Sequence, residues 1–165
     1  MLKCLLEHCC GGKSLRLFAV IVVVVGLDQL TKHLVVTYMD PGQSVAVIPR
    51  LLYLTYVRNP GAAFGILPYR TIFFIAITFI LIAFMLAYYR ALPKSFYLMR
   101  LGLALQLGGA LGNLIDRLRF GQVIDFIDLR FFPPVFNLAD SAIVIGVGIF
   151  IIAFWRLAPY LERSS

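Results

Sequence analysis

The sequence predicts an all-α membrane protein of four transmembrane helices, with a small interfacial β-sheet platform on the extracytoplasmic side. Three observations predict it. Of the 165 residues, 61% are hydrophobic and only 14% charged, and the mean hydropathy of +0.92 exceeds what a domain with a polar surface carries. Four windows, residues 16–37, 71–89, 96–115 and 140–158, approach the about 20 apolar residues needed to cross a hydrocarbon core. Between the first two lies a stretch rich in β-branched and aromatic residues that is too short to cross as a helix.

The elements follow in chain order. Residues 1–15 form an N-terminal segment holding Lys3, Lys13 and all three cysteines, Cys4, Cys9 and Cys10. Their spacing, with His8 nearby, matches no usual metal site, and in a reducing compartment it is no disulfide framework. The first span runs into Asp28-Gln29-Leu30-Thr31-Lys32 without a small-residue cleavage signature, so it is expected to persist. Asp28 and Lys32, four residues apart, read as an intrahelical ion pair anchoring the span at the interface. Asp40, in Met39-Asp40-Pro41-Gly42, reads as a turn residue. Residues 40–68 are expected to be interfacial strands and loop, with two short strands in 44–57 broken by Pro49. An Asn59-Pro60-Gly61 turn and the small residues around Phe64 lead to the second span, nineteen uncharged residues between Arg70 and Arg90. The third and fourth hold only fifteen uncharged residues each, so Asp116 and Asp140 at their ends are held close to lipid. Gly108 and Gly112 form a small-xxx-small face for tight helix packing. One membrane domain, 1–165, accounts for the whole chain.

Four spans return the chain to the side it started from, so both termini share a compartment. Lysines and arginines divide eight to seven between the two sides, so placement decides orientation. Lys3, Lys13 and Arg16 precede the first span, and Arg90, Lys94 and Arg100 fill the short loop between the second and third. These belong in the cytoplasm. All six aspartates, Asp28, Asp40, Asp116, Asp125, Asp128 and Asp140, then fall on the far side, while Glu7 and Glu162 face the cytoplasm. The net charge of +7 suits anionic lipid headgroups rather than nucleic acid.

Carboxylates at a bilayer rim are costly, which marks them as a site. Two histidines allow no His-ligated metal cage and give little support to a Ser-His or Cys-His pair. A Ser-Lys pair such as Ser44 with Lys32 stays open. Two aspartates that share a proton supply a general acid and a general base from one residue type, enough to activate water against a peptide bond. Asp125, in the otherwise apolar VIDFID, and Asp140, closing FNLAD at the start of the fourth span, are the best candidates. The plain alternative for Asp140 is a helix N-terminal acid, and for Asp128 a bond to Arg130. Asn113, Asp116 and Arg117 share one helix face and need partners, with Arg117 expected to pair with an acid. A small proton-coupled membrane transporter using the rim aspartates is the rival reading, although polar residues do not continue along the second and fourth spans.

Five blocks in order, DQLTK at 28–32, NPGAAFG at 59–65, GGALGNLIDR at 108–117, VIDFID at 123–128 and FNLAD at 136–140, resemble the lipoprotein signal peptidases (signal peptidase II) over residues 16–158. These are membrane aspartyl endopeptidases of bacteria. The resemblance implies that Asp125 and Asp140 are the catalytic pair and that Asn59, Gly109, Asn113, Arg117 and Asn137 line the site. Asp28, Lys32, Asp116, Phe64 and Ala139 are expected to support it. It implies removal of the signal peptide from diacylglyceryl-modified prolipoproteins, cut just before the lipidated cysteine, with no metal or organic cofactor. The expected setting is the bacterial cytoplasmic (inner) membrane, with membrane lipid around a monomer and the active site at the extracytoplasmic face.

Overall fold

A computed structural model describes residues 2–61 and 70–162, with side chains over 15–61 and 70–156. Four helices carry the apolar windows: α1 (Leu2–Tyr38), α2 (Thr71–Ala91), α3 (Tyr97–Phe120) and α4 (Leu138–Glu162). Each contains a stretch long and apolar enough to cross a bilayer. All four extend beyond their expected windows, which matters at two ends. Asp116 and Arg117 lie within α3, and Asp140 lies in the first turn of α4. At the opposite end of the chain, α1 continues through the segment expected to precede the first span.

The third helix is the hub, packed against α1, α2 and α4. It is also the least apolar of the four spans and the most buried. Lipid tails are as apolar as leucine, so helix contact in a bilayer depends on close packing rather than on hydrophobicity. Glycines supply the closeness. A methyl group on Gly102 would strike the carbonyl oxygen of Gly146 at 2.6 Å, and the reverse holds for Gly146. Nearer the site, Gly109 lies against the Ala139 carbonyl, while Gly108 faces Val24 of α1. Helix α2 buries none of its side chains, as expected of a span that faces lipid.

Three strands, β1 (Ser44–Ile48), β2 (Leu52–Asn59) and β3 (Val123–Leu129), form one antiparallel sheet in the order β1-β2-β3. The first two fulfil the expected pair. The third is VIDFID itself, whose acids hide its strand character from a hydropathy reading. Register runs from Leu52 opposite Leu129 to Asn59 opposite Val123, with a bulge between Leu54 and Val57. Within that bulge Tyr56 turns inward and packs with Val35, Ile124 and Phe126, seating the sheet on the end of α1. Gly121 ends α3 in a left-handed conformation (φ 72°), its N–H bonded to the Arg117 carbonyl, so the chain turns at once into β3. Beyond β3, Phe136 bonds to Phe126 and Ile127 through the backbone, which brings the start of α4 beside the strand.

Candidate active site

Strand alternation decides where Asp125 points. Ile124 and Phe126 are committed to the cluster beneath the sheet, so the residue between them faces the other way, toward the bundle. There its carboxylate is 2% exposed and accepts two amide bonds, from Asn59 Nδ2 (3.0 Å) and Asn137 Nδ2 (2.7 Å).

Asp140 is placed by a helix cap. Asn137 precedes α4, and its Oδ1 accepts the Asp140 N–H (2.9 Å), while Asp140 Oδ2 accepts the Asn137 N–H (3.3 Å). This reciprocal pair is a capping box built from Asn and Asp. The plain reading of Asp140 as a helix N-terminal acid is therefore true of its backbone setting. Its other oxygen, Oδ1, accepts from Asn113 Nδ2 of α3 at 2.8 Å. Asn137, fully buried, thus holds both carboxylates at once and also contacts the Ile124 carbonyl and Asn113 Oδ1.

Both aspartates line one cavity of about 660 Å³, together with Asn59, Asn113 and Arg117. Apart from Ser141 the rest of its wall is apolar, including Phe131, Phe132 and Phe136 and, from α4, Ile143 and Val144. Burial, with the nearby charge of Asp140 adding to it, pushes the Asp125 carboxyl up from 3.8 to about 7, against its hydrogen bonds from Asn59 and Asn137.

That shift carries a pH signature in stability. Because the folded value lies above the unfolded one, the native state holds this proton longer, and its relative stability falls as pH rises from about 4 to about 7. Asp125→Asn has no such titration. The stability of the variant relative to the native protein should rise across that window and stay level on either side, as read by thermal melts in detergent from pH 4 to 9. Parallel curves over the whole range would remove the assignment.

Behind the cavity lies a second, fully buried cluster. Lys32 Nζ meets Asp28 Oδ2 (2.9 Å), Asp116 Oδ2 (2.8 Å) and Asn113 Oδ1 (3.0 Å). Asp28 also accepts the Ala139 N–H (3.0 Å), and Asp116 accepts the Ile124 N–H (3.2 Å). Gln29 Nε2 joins Asp28, Asp116 and the Gly112 carbonyl. Among the described residues, no buried side-chain nitrogen or oxygen lacks a partner. The cluster ties α1, α3, β3 and α4 together at one end of the bundle.

Several expectations change. The Asp28 and Lys32 pair forms, yet it is buried in this cluster rather than set at the surface as an interfacial anchor. Arg117 makes no ion pair among the described residues. It donates to the Gly61 carbonyl (3.4 Å) and lies over the Phe74 ring, within Coulombic reach of Asp140 and Asp125. Gly109 does not border the cavity, because its place is the α3–α4 contact against Ala139, where a side chain would force the helices apart. Ser44 bonds to Thr55 (2.8 Å) and Lys32 is taken by its carboxylates, so these two form no pair. Asp128 accepts from Thr55 (2.7 Å) and pairs with Arg130 (3.6 Å), as its plain reading holds. Phe64 lies outside the described residues, as do the side chains of Cys4, Cys9 and Cys10. Gln29 and the Phe131-Phe132 wall join the site without having been expected there. An apolar run wedged between Arg130 and Asn137 was the available signal for the wall.

Comparison with known proteins places this geometry. Residues 20–156 match the model of the family described as signal peptidase (SPase) II. The lipoprotein signal peptidase of Moorella thermoacetica is 55% identical over 135 residues, 82% of this chain and 87% of the relative. That of Pelotomaculum thermopropionicum is 49% identical over 150 residues, 90% and 95% of the two chains. Two solved bacterial membrane enzymes share the fold. One superposes with a TM-score of 0.76 at 38% identity, covering 87% of this chain and 89% of the other. The second gives 0.73 at 39% identity, covering 84% and 92%.

Proposed function

The chain belongs to the signal peptidase II family, and on that footing we propose that it removes the signal peptide from diacylglyceryl-modified prolipoproteins, with Asp125 and Asp140 as the catalytic pair. The observation that carries this reading is the sharing of one cavity, and of one asparagine, by two carboxylates at the end of a membrane bundle. The carrier alternative finds no support among the relatives.

The chemistry follows from the two environments. Asp125, whose carboxyl titrates near 7, holds the proton at rest. Asp140, whose oxygens accept N–H bonds from Asn113 and Asn137, takes a proton from water as that water attacks the scissile carbonyl carbon. The new C–O bond forms while Asp125 gives its proton to the carbonyl oxygen. In the second half, Asp140 passes its proton to the leaving nitrogen, the C–N bond breaks, and Asp125 recovers a proton from the tetrahedral diol. Arg117, facing both acids, and the amide of Asn59 are placed to steady charge on the substrate's oxygens.

The apolar wall suits the substrate class. A prolipoprotein carries an apolar signal helix and two acyl chains, and these need a cavity open toward lipid and lined by Phe131, Phe132 and Val144. The basic loops support an orientation with this end at the extracytoplasmic face of the cytoplasmic membrane and both termini inside, and a monomer is the proposed working unit.

A gel-shift assay on the purified protein tests the substrate. The diacylglyceryl-modified precursor is expected to be cut at least about tenfold faster than its unmodified form, since a few buried methylenes supply that factor. Equal rates on both would remove the acyl-chain subsite.

A further inference from the structure

Among the described residues, helix α1 contributes no side chain to the cavity, yet a single residue, Asn113, separates it from the reacting acid. Lys32 Nζ donates to Asn113 Oδ1 at 3.0 Å, and the other end of that amide, Nδ2, donates to Asp140 Oδ1 at 2.8 Å. An asparagine amide can turn over about its terminal bond, exchanging its donor and acceptor ends. Turned over, Asn113 would offer Asp140 a carbonyl oxygen, to which a carboxylate has no hydrogen to donate, and would set an NH2 group against an ammonium. The lysine cannot follow, because Asp28 and Asp116 fix it from two sides at 2.9 and 2.8 Å. The Asn137 amide donates to the same Asn113 oxygen at 3.1 Å, which reinforces the orientation from α4.

We propose that Lys32 is a positioning residue for the cleavage reaction, holding the Asn113 amide so that its hydrogens always face Asp140. This deepens, and rests on, the reading of Asp140 as one of the catalytic pair. The acceptor oxygens of Asp140 are then aimed before substrate arrives, and Lys32 acts without touching it. A second consequence is electrostatic. Lys32 is a cation whose charge favours the ionised form of Asp125. Among the described residues, the other charged groups around Lys32 and the pair are Asp28 of the same helix and Asp116 of α3, both on Lys32, and Arg117 of α3, within reach of both acids, with each acid beside the other.

The test uses the full chain in detergent with a lipidated precursor, rates being normalised to folded protein. In Lys32→Gln, kcat should fall on the order of 10-fold to 100-fold with KM nearly unchanged, since a misaimed group costs transition-state rather than ground-state binding. The alkaline limb of the pH profile should move to higher pH, a change that a purely structural role does not produce. If that variant fails to fold, Lys32→Gln/Asp116→Asn keeps the net charge of the buried cluster and should show the same loss of kcat. Asn113→Ala, which leaves Lys32 with both carboxylates, closes the cycle: added to either Lys32 variant it should cost far less than it costs alone. Native kcat per folded molecule, or strictly additive losses, would overturn the proposal. Asp140→Asn separates the two levels. If it stays active, the catalytic pair itself is wrong; if it is inactive while the Lys32 variants keep native kcat, only the positioning role fails.

Discussion

Asp125→Asn and Asp140→Asn should each lower cleavage of a lipidated precursor by on the order of 10⁴-fold or more, the loss typical of removing one member of a catalytic unit. The substitution keeps shape and volume and removes only the capacity to hold and release a proton. At Asp140 the variant retains one oxygen to accept either the Asn137 N–H or the Asn113 amide, though not both. The structural cost is then of the order of a weakened helix cap, about 1 kcal/mol, too small to unfold the protein. At Asp125 the variant loses one of two amide bonds but also the cost of burying a charge. Both proteins should therefore elute and melt as folded material while failing to cut. Measurable turnover by either, in a preparation free of native enzyme, would dismantle the pair.

Lys32→Met is the substitution expected to damage the fold most. The ammonium has three hydrogens and three acceptors, all within 3.0 Å, and only 2% of the side chain is exposed. Methionine matches the length of the stem, so packing is largely kept. What remains is two buried carboxylates without their cation. Breaking a buried pair in this way costs about 3–5 kcal/mol, a large part of the about 5–15 kcal/mol by which domains are stable. The variant should accumulate poorly and melt well below the native protein in detergent. Removing one of the stranded charges, as in Lys32→Met/Asp116→Asn, should recover part of the loss. A single variant that melts with the native protein would mean that the cluster contributes little to holding α1 in place.

Asp125 and Asp140 could be singled out as candidates from residue types and placement, because few chemistries are open to a chain with six aspartates on one rim and two histidines. Partners were harder. Arg117 was expected to find an acid, and instead its guanidinium is spent on the Gly61 carbonyl and the Phe74 ring. Charge alone does not fix a pairing: the guanidinium lies within Coulombic reach of Asp140 and Asp125 while its hydrogen bond and ring contact are made elsewhere. Gly109 was assigned to the site by its block, yet in space it is a helix contact. A sequence block records what is needed together and says nothing of which side each residue faces.

By itself the sequence determined the spans, their parity, the rim on which the acids collect and the presence of interfacial strands. These depend on local quantities, namely apolar length, charge position and side-chain shape, each summed over neighbouring residues. Only the tertiary structure decided that VIDFID is the third strand of the sheet, paired with β2, that Asn137 joins both acids while capping α4, and that Lys32 reaches Asp140 through Asn113. Those contacts cross as many as 81 residues of chain. They exist because glycines let the helices come close enough for short polar side chains to touch, in surroundings where an unpaired polar group is too costly to leave.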